Sequence, residues 1–200
     1  MYSIVLFQVT LTFVFCYLSS IGSFGNVTND IIPIIIANFC LLGSLAIFFI
    51  TNISQVFPYN YLLLLIFTVS ESLMIAGWTA DMKTDTIILC CGMFMVTTGL
   101  LTIHIFQLNK TQENGNLFYT LSASIIVEII FAYFFLRLTF WTTFAAGCSV
   151  FGYGVFIIIN TNKISTELPL NEYILGSLLL YVDLLTFFIY LLRTFGKKKR

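Results

Sequence analysis

Charge is what this chain has least of: nine Lys and Arg and nine Asp and Glu in 200 residues, 9% of the total. Soluble domains carry about a quarter charged residues, so a solvated globular surface is excluded. The 59% hydrophobic share, with 22 Phe, instead describes a chain dissolved in lipid. Histidine is reduced to His104. One imidazole supplies no cluster for a zinc centre, and no Ser stands in a nucleophile motif to pair with it. His104 therefore reads as a satisfied residue at a helix end, and no enzyme is expected. The five cysteines, Cys16, Cys40, Cys90, Cys91 and Cys148, all fall in apolar stretches. Their odd number and lack of metal-like spacing exclude a disulfide framework and leave small packing residues. Lysines occur only in loops or the tail, which removes the buried lysine of a retinal receptor. The N-terminus lacks the basic region of a secretory signal, so its apolar stretch is expected to stay as a span. No cofactor and no nucleic-acid partner is expected.

What is present is a succession of apolar stretches. A bilayer core of about 30 Å takes about 20 residues of helix. The chain offers seven such segments, over about 3–20, 31–51, 59–80, 86–107, 117–136, 143–165 and 173–195, separated by short polar breaks such as "IGSFGNVTND", "DMKTD" and "NKTQENGN". The expectation is an all-α membrane protein, one polytopic domain over 1–200, built as an antiparallel seven-helix bundle in direct contact with the lipid bilayer; six spans with one re-entrant segment is the alternative. Net charge is zero, yet five of the nine basic residues, Arg193, Lys197, Lys198, Lys199 and Arg200, sit at the C-terminal end. That places the 196–200 tail in the cytosol, with Lys83 and Arg137 on the same side. Gly92 and Gly99 in the fourth span, and Ala145, Ser149 and Gly152 in the sixth, recur at helical spacing and suggest close helix approach.

Three carboxylates interrupt the apolar stretches: Glu71, Glu128 and Asp183. An ionisable group at membrane depth costs a few kcal/mol or more and is expected to face the bundle interior or a wet cavity. Glu71 lies mid-span with Thr68 one turn earlier, a small polar stripe. Glu128, flanked by β-branched residues, receives no role. Asp183 lies three turns beyond Glu172, on a stripe with Gly176 and Thr186 or Tyr190. Such a stripe reads as a path for an oxygen-loving cation such as Ca²⁺, without a tight metal site. The chain reverses near "ELPLNE", and Asn160 and Asp183 are nearly equidistant from that turn. On antiparallel helices they stand level near the midplane, where the Asn160 amide is a natural partner for the Asp183 carboxyl.

At this point the residues resemble a known family. "LPLNEYILGSLLLYVDLLTFFIYLLR" resembles the closing signature of the transmembrane Bax inhibitor motif (Lifeguard) family, an "EY" pair followed by a "LYLD" element. "FPYNYLLLLIFTVSES" is similar to its third-span signature, "YSIVLFQVTLTF" to its first span and "GLLTIHIFQ" to its fourth. The likeness covers essentially the whole chain and is greatest to the Golgi anti-apoptotic branch, which has cellular and poxviral members. It implies a seven-helix fold with the last helix central, residence in Golgi or endoplasmic reticulum membranes, a passive calcium leak, and inhibition of apoptosis. Homo- or hetero-oligomers with family members, or contact with apoptosis regulators, are the partners it implies. A non-conducting protein acting by binding membrane partners is the alternative.

The family's pH sensor is a pair of aspartates on the last two spans. Asp183 matches the second; where the first belongs, in a "YDT" element, this chain has "INT" with Asn160. Two carboxylates in contact titrate as a coupled pair, whereas Asn160 does not ionise and leaves Asp183 to titrate alone. A weaker or displaced pH response follows. Candidate ion-path residues are thus Asp183, Asn160, Glu172 and Glu71. Lys197 and Lys198 resemble a dilysine retrieval signal, although a basic tail also serves as a lipid anchor. Of the three glycosylation sequons, Asn26, Asn52 and Asn109, Asn26 falls on the cytosolic side of this topology. In microsomal translation it is expected to stay unmodified; a glycosidase-sensitive mass shift lost in Asn26→Gln would reverse the topology.

Overall fold

The computed structural model describes residues 1–23, 31–51, 56–111, 122–123, 126, 129–130, 133, 152–161, 163–164, 169 and 172–196. Every element in them is helical: α1 (Tyr2–Ile21), α2 (Ile31–Ile50), α3 (Tyr59–Thr79), α4 (Thr84–Thr111), α5 (Gly152–Thr161) and α6 (Tyr173–Phe195). The reason is the solvent. Hydrocarbon offers no partner for backbone N–H or C=O, so each segment must close its hydrogen bonds within itself. α1, α2, α3 and α6 are long and apolar enough to cross a membrane, while the apolar parts Thr84–Gly99 of α4 and Gly152–Thr161 of α5 are shorter. Among the described residues, four of the seven expected spans are thus helices long and apolar enough to cross; the fifth expected span and the first part of the sixth lie largely outside the described residues, as does Glu128.

Local chemistry sets the helix ends. α1 stops at Gly22, whose φ of 86° only glycine adopts without strain, and whose N–H, with that of Ser23, returns to the carbonyls of Ser19 and Leu18. Pro33 sits in the first turn of α2, where its missing N–H costs nothing. Asp85 lies in the first turn of α4, favourable at the positive end of the helix dipole.

α6 is the most buried of the crossing helices and α2 the least. α6 packs against α1, α3 and α4, and α2 leans only on α3 among the principal helix contacts. The centre is aromatic. Phe13 of α1 meets Phe94 of α4 edge-on at 5.3 Å and Phe188 of α6 at 4.8 Å, while Phe94 also meets Phe187 and Phe188 at 5.9 and 5.6 Å. Phe94, Phe187 and Phe188 are almost wholly buried. Because lipid tails are as apolar as these rings, this packing acts through van der Waals fit and ring geometry rather than through escape from water.

A methyl group added at Gly92, Gly99 or Gly152 meets no atom within 4 Å among the described residues; Ala145 and Ser149 lie outside those residues. One added at Gly77 would make ordinary contact with the Ile34 side chain of α2, at 3.5 Å. Removing the ring at the junction of three helices, Phe94→Ala, is expected to destabilise by about 3 kcal/mol, read as an earlier SDS-unfolding midpoint in mixed micelles, whereas Gly99→Ala is expected to leave the midpoint unchanged.

Candidate functional site

Asn160 on α5 and Asp183 on α6 meet: the Asn160 Nδ2 donates to Asp183 Oδ2 at 3.0 Å, and both side chains are half-buried. Seven residues back along α5, Tyr153 stacks on Tyr190, seven residues forward along α6, with ring centroids 4.9 Å apart. Equal steps in opposite directions define an antiparallel register that holds the pair level. An amide both donates and accepts. Asn160 can therefore donate to the carboxylate, or accept from the acid after a half-turn of its amide, and the contact survives either protonation state of Asp183. Two aspartates have no such freedom.

The rest of the expected stripe is only partly assembled. Glu172 precedes α6 at its N-terminal end, about 16 Å along the axis from Asp183. Tyr190 shares the Asp183 face, but Thr186 is exposed and its hydroxyl turns back to the Val182 carbonyl at 2.9 Å. Beside the pair lies a cavity of about 470 Å³ between α1, α4, α5 and α6, walled by Val9, Phe94, Leu180 and Leu184. Thr161, next to Asn160, lines it with a buried hydroxyl that has no partner among the described residues. Lys197, Lys198 and the His104 side chain lie outside those residues. No three His, Cys, Asp or Glu side chains stand together among the described residues.

Glu71 is elsewhere. It lines a separate cavity of about 180 Å³ between α2, α3 and α6, with Asn38, Trp78 and Ile189. Its expected stripe with Thr68 divides, because three residues along a helix leave the two side chains about 60° apart. Thr68 turns inward, accepting from Gln8 Nε2 at 2.8 Å.

There Thr68 joins a buried network between α1, α3 and α6. Thr12 of α1 lies 2.9 Å from Ser72 of α3 and 2.7 Å from the Tyr181 hydroxyl of α6. Ser72 returns a proton to the Thr68 carbonyl at 2.6 Å and Thr12 reaches the Gln8 carbonyl of its own helix at 3.0 Å, so each hydroxyl is held both by its own backbone and by the neighbouring helix. Higher along the same helices, Ser19 donates to the Ala76 carbonyl at 2.7 Å. The legible signal was the spacing of Gln8 and Thr12 on one helix and Thr68 and Ser72 on another, four residues in each case. Their separation of 60 residues in both hydrogen-bonded pairs shows α1 and α3 running parallel in register.

The whole chain, residues 1–200, matches the model of the family described as inhibitor of apoptosis-promoting Bax1. Among curated proteins it is 29% identical to protein lifeguard 4 of Mus musculus over 202 aligned residues, covering 96% of this chain and 81% of the relative. It is 26% identical to a BI1-like protein of Arabidopsis thaliana over 200 residues, covering 96% of this chain and 77% of the relative. No solved structure gives a significant match.

The hydroxyl junction makes a measurable claim. Thr12→Val and Tyr181→Phe are each expected to destabilise by about 1 kcal/mol, the scale of hydrogen bonds between membrane helices. The double variant is expected to lose less than the two losses added, the non-additivity of a shared contact; strict additivity in SDS unfolding would mean the two side chains act separately.

Proposed function

The chain belongs to the Bax inhibitor family, and on that premise we propose that it is a passive calcium leak of Golgi or endoplasmic reticulum membranes that lowers store calcium and so inhibits apoptosis. The single observation that carries the reading is the Asn160–Asp183 hydrogen bond, a carboxylate and its amide partner held level between two antiparallel helices. The adjoining cavity of about 470 Å³ exceeds the space of a calcium ion with six to eight oxygen ligands, at about 30 Å³ per water. In this reading the bundle has seven spans with α6 at its centre, the tail with Lys197 and Lys198 is cytosolic, and Glu172 marks the lumenal entrance. The protein is not an enzyme, and calcium is its permeant ion rather than a resident cofactor.

Ionised, Asp183 attracts a cation and accepts from Asn160; protonated, it gives up its charge and keeps the bond. Conductance then follows the ionisation of one group rather than of a coupled dyad, which weakens or displaces the pH response. The substitution of the family aspartate by Asn160 also favours a second reading, in which the fold is kept and the ion path lost, and the protein acts by assembling with family members or apoptosis regulators.

Calcium efflux from proteoliposomes holding the purified chain, across pH 5 to 8, separates the two. The leak reading expects efflux above empty vesicles, abolished by Asp183→Asn and made more pH-responsive by Asn160→Asp. Folded protein with no efflux in any variant would leave the non-conducting reading.

A further inference from the structure

Glu71 is the one described carboxylate within a crossing helix that the Asn160–Asp183 pair does not use, and its surroundings are chemically mixed. It shares its cavity of about 180 Å³ with Asn38, Met74, Ile75, Trp78 and Ile189. Asn38 stands seven residues inside α2, Glu71 eight residues from the end of α3 and Ile189 six from the end of α6. At ~1.5 Å per residue all three lie about 10 Å in from the same end of the bundle. An amide and a carboxyl group thus share one level within the apolar part of the helices. Neither makes a hydrogen bond with another described residue, although Asn38 is exposed on a helix whose other outward residues include Ile32, Ile36, Phe39 and Leu42. An exposed amide on a lipid-facing surface is costly without a partner.

The cavity is distinct from the Asp183 site. Ile189 follows Asp183 by six residues, about 240° around α6, so the helix shows Asp183 to α5 and Ile189 to α2 and α3. Trp78, 66% exposed, stands two turns from Glu71 on the same face of α3, at the helix end where indoles favour the membrane interface.

We propose that Glu71, Asn38 and Trp78 form a binding site for a lipophilic ammonium ion that enters from the bilayer. The Glu71 carboxylate pairs with the ammonium group and the Asn38 carbonyl accepts a second N–H. Met74, Ile75 and Ile189 take the hydrocarbon, and the indole of Trp78 closes the mouth against the apolar body or over the cation. The volume limits the guest to a small arylalkyl- or alkylammonium. An anion is excluded by Glu71. A neutral hydrocarbon leaves both polar groups unpaired, which is why a site built to hydrogen-bond discriminates strongly against the analogue lacking the group.

Trp78 is also the reporter, since Trp141 is the only other tryptophan. The full chain carrying Trp141→Phe, in lipid nanodiscs at neutral pH, is titrated with 2-(4-bromophenyl)ethylammonium, whose bromine quenches indole emission. The neutral 2-(4-bromophenyl)ethanol runs in parallel to subtract quenching by partition into the bilayer. The site predicts saturable quenching by the amine alone, weakened at least tenfold in Glu71→Gln, with Asn38→Leu weakened by a smaller factor. Met74→Phe, which fills the cavity and keeps Glu71, abolishes saturation and serves if Glu71→Gln does not fold. Equal quenching by amine and alcohol, or an amine titration unchanged in both Glu71→Gln and Met74→Phe, overturns the proposal. Calcium efflux through the Asp183 site bears on neither outcome.

Discussion

Where Thr12, Ser72 and Tyr181 converge, three helices are tied by hydroxyls that have nowhere else to go. Hydrocarbon supplies no competing partner, so a hydroxyl pointed into the bundle either finds another helix or bonds its own carbonyl. Here it does both. Thr68 and Ser72 each return a proton to the preceding turn of α3, as Thr12 does to the Gln8 carbonyl of α1, and Thr68 also receives one from Gln8. Thr12 joins Ser72 of α3 at 2.9 Å and Tyr181 of α6 at 2.7 Å. The apolar rings around this junction hold the helices close without choosing their rotation, since one ring face packs on another with little penalty. The hydroxyl contacts of Tyr181, Thr12 and Ser72 fix which face of each helix is inward.

Once α6 is so oriented, its remaining faces are assigned. Tyr181 points to α1 and α3, and Phe187 and Phe188 to the ring cluster with Phe94. Asp183, two residues from Tyr181 and so on a different side, is left to α5. There the Tyr153–Tyr190 stack and the Asn160–Asp183 bond lock an antiparallel register seven residues apart. Ile189 completes the wall of the Glu71 cavity. One helix thereby serves a buried scaffold, a half-buried carboxyl–amide pair and a cavity with Glu71, and its central place follows from serving all three.

An amide at Asn160, where the resemblance implies an aspartate, gives the contact with Asp183 a different chemistry. An aspartate pair depends on a shared proton to avoid repulsion, whereas an amide has both donor and acceptor at hand and keeps its contact whatever Asp183 carries. The helix pair is consequently insulated from proton occupancy, and what protonation alters is charge alone. Glu71 differs in having no counterpart from its own chain among the described residues.

The sequence by itself determined the class: scarce charge and long apolar stretches compel helices in lipid, the closing and third-span signatures carried the family resemblance, and "INT" marked the departure from it at Asn160. Even the meeting of Asn160 and Asp183 was legible, because two helices joined by a short turn have only one antiparallel register to adopt. Contacts between helices distant in the chain were not. Thr12 and Tyr181 are 169 residues apart, and an apolar helix lacks a polar face to announce its rotation, so Thr68 was grouped with Glu71 although it turns to Gln8. The tertiary structure decided which helices meet, because in a bilayer the fit of rings and a few hydroxyl contacts outweigh hydrophobicity, which lipid satisfies on every face alike.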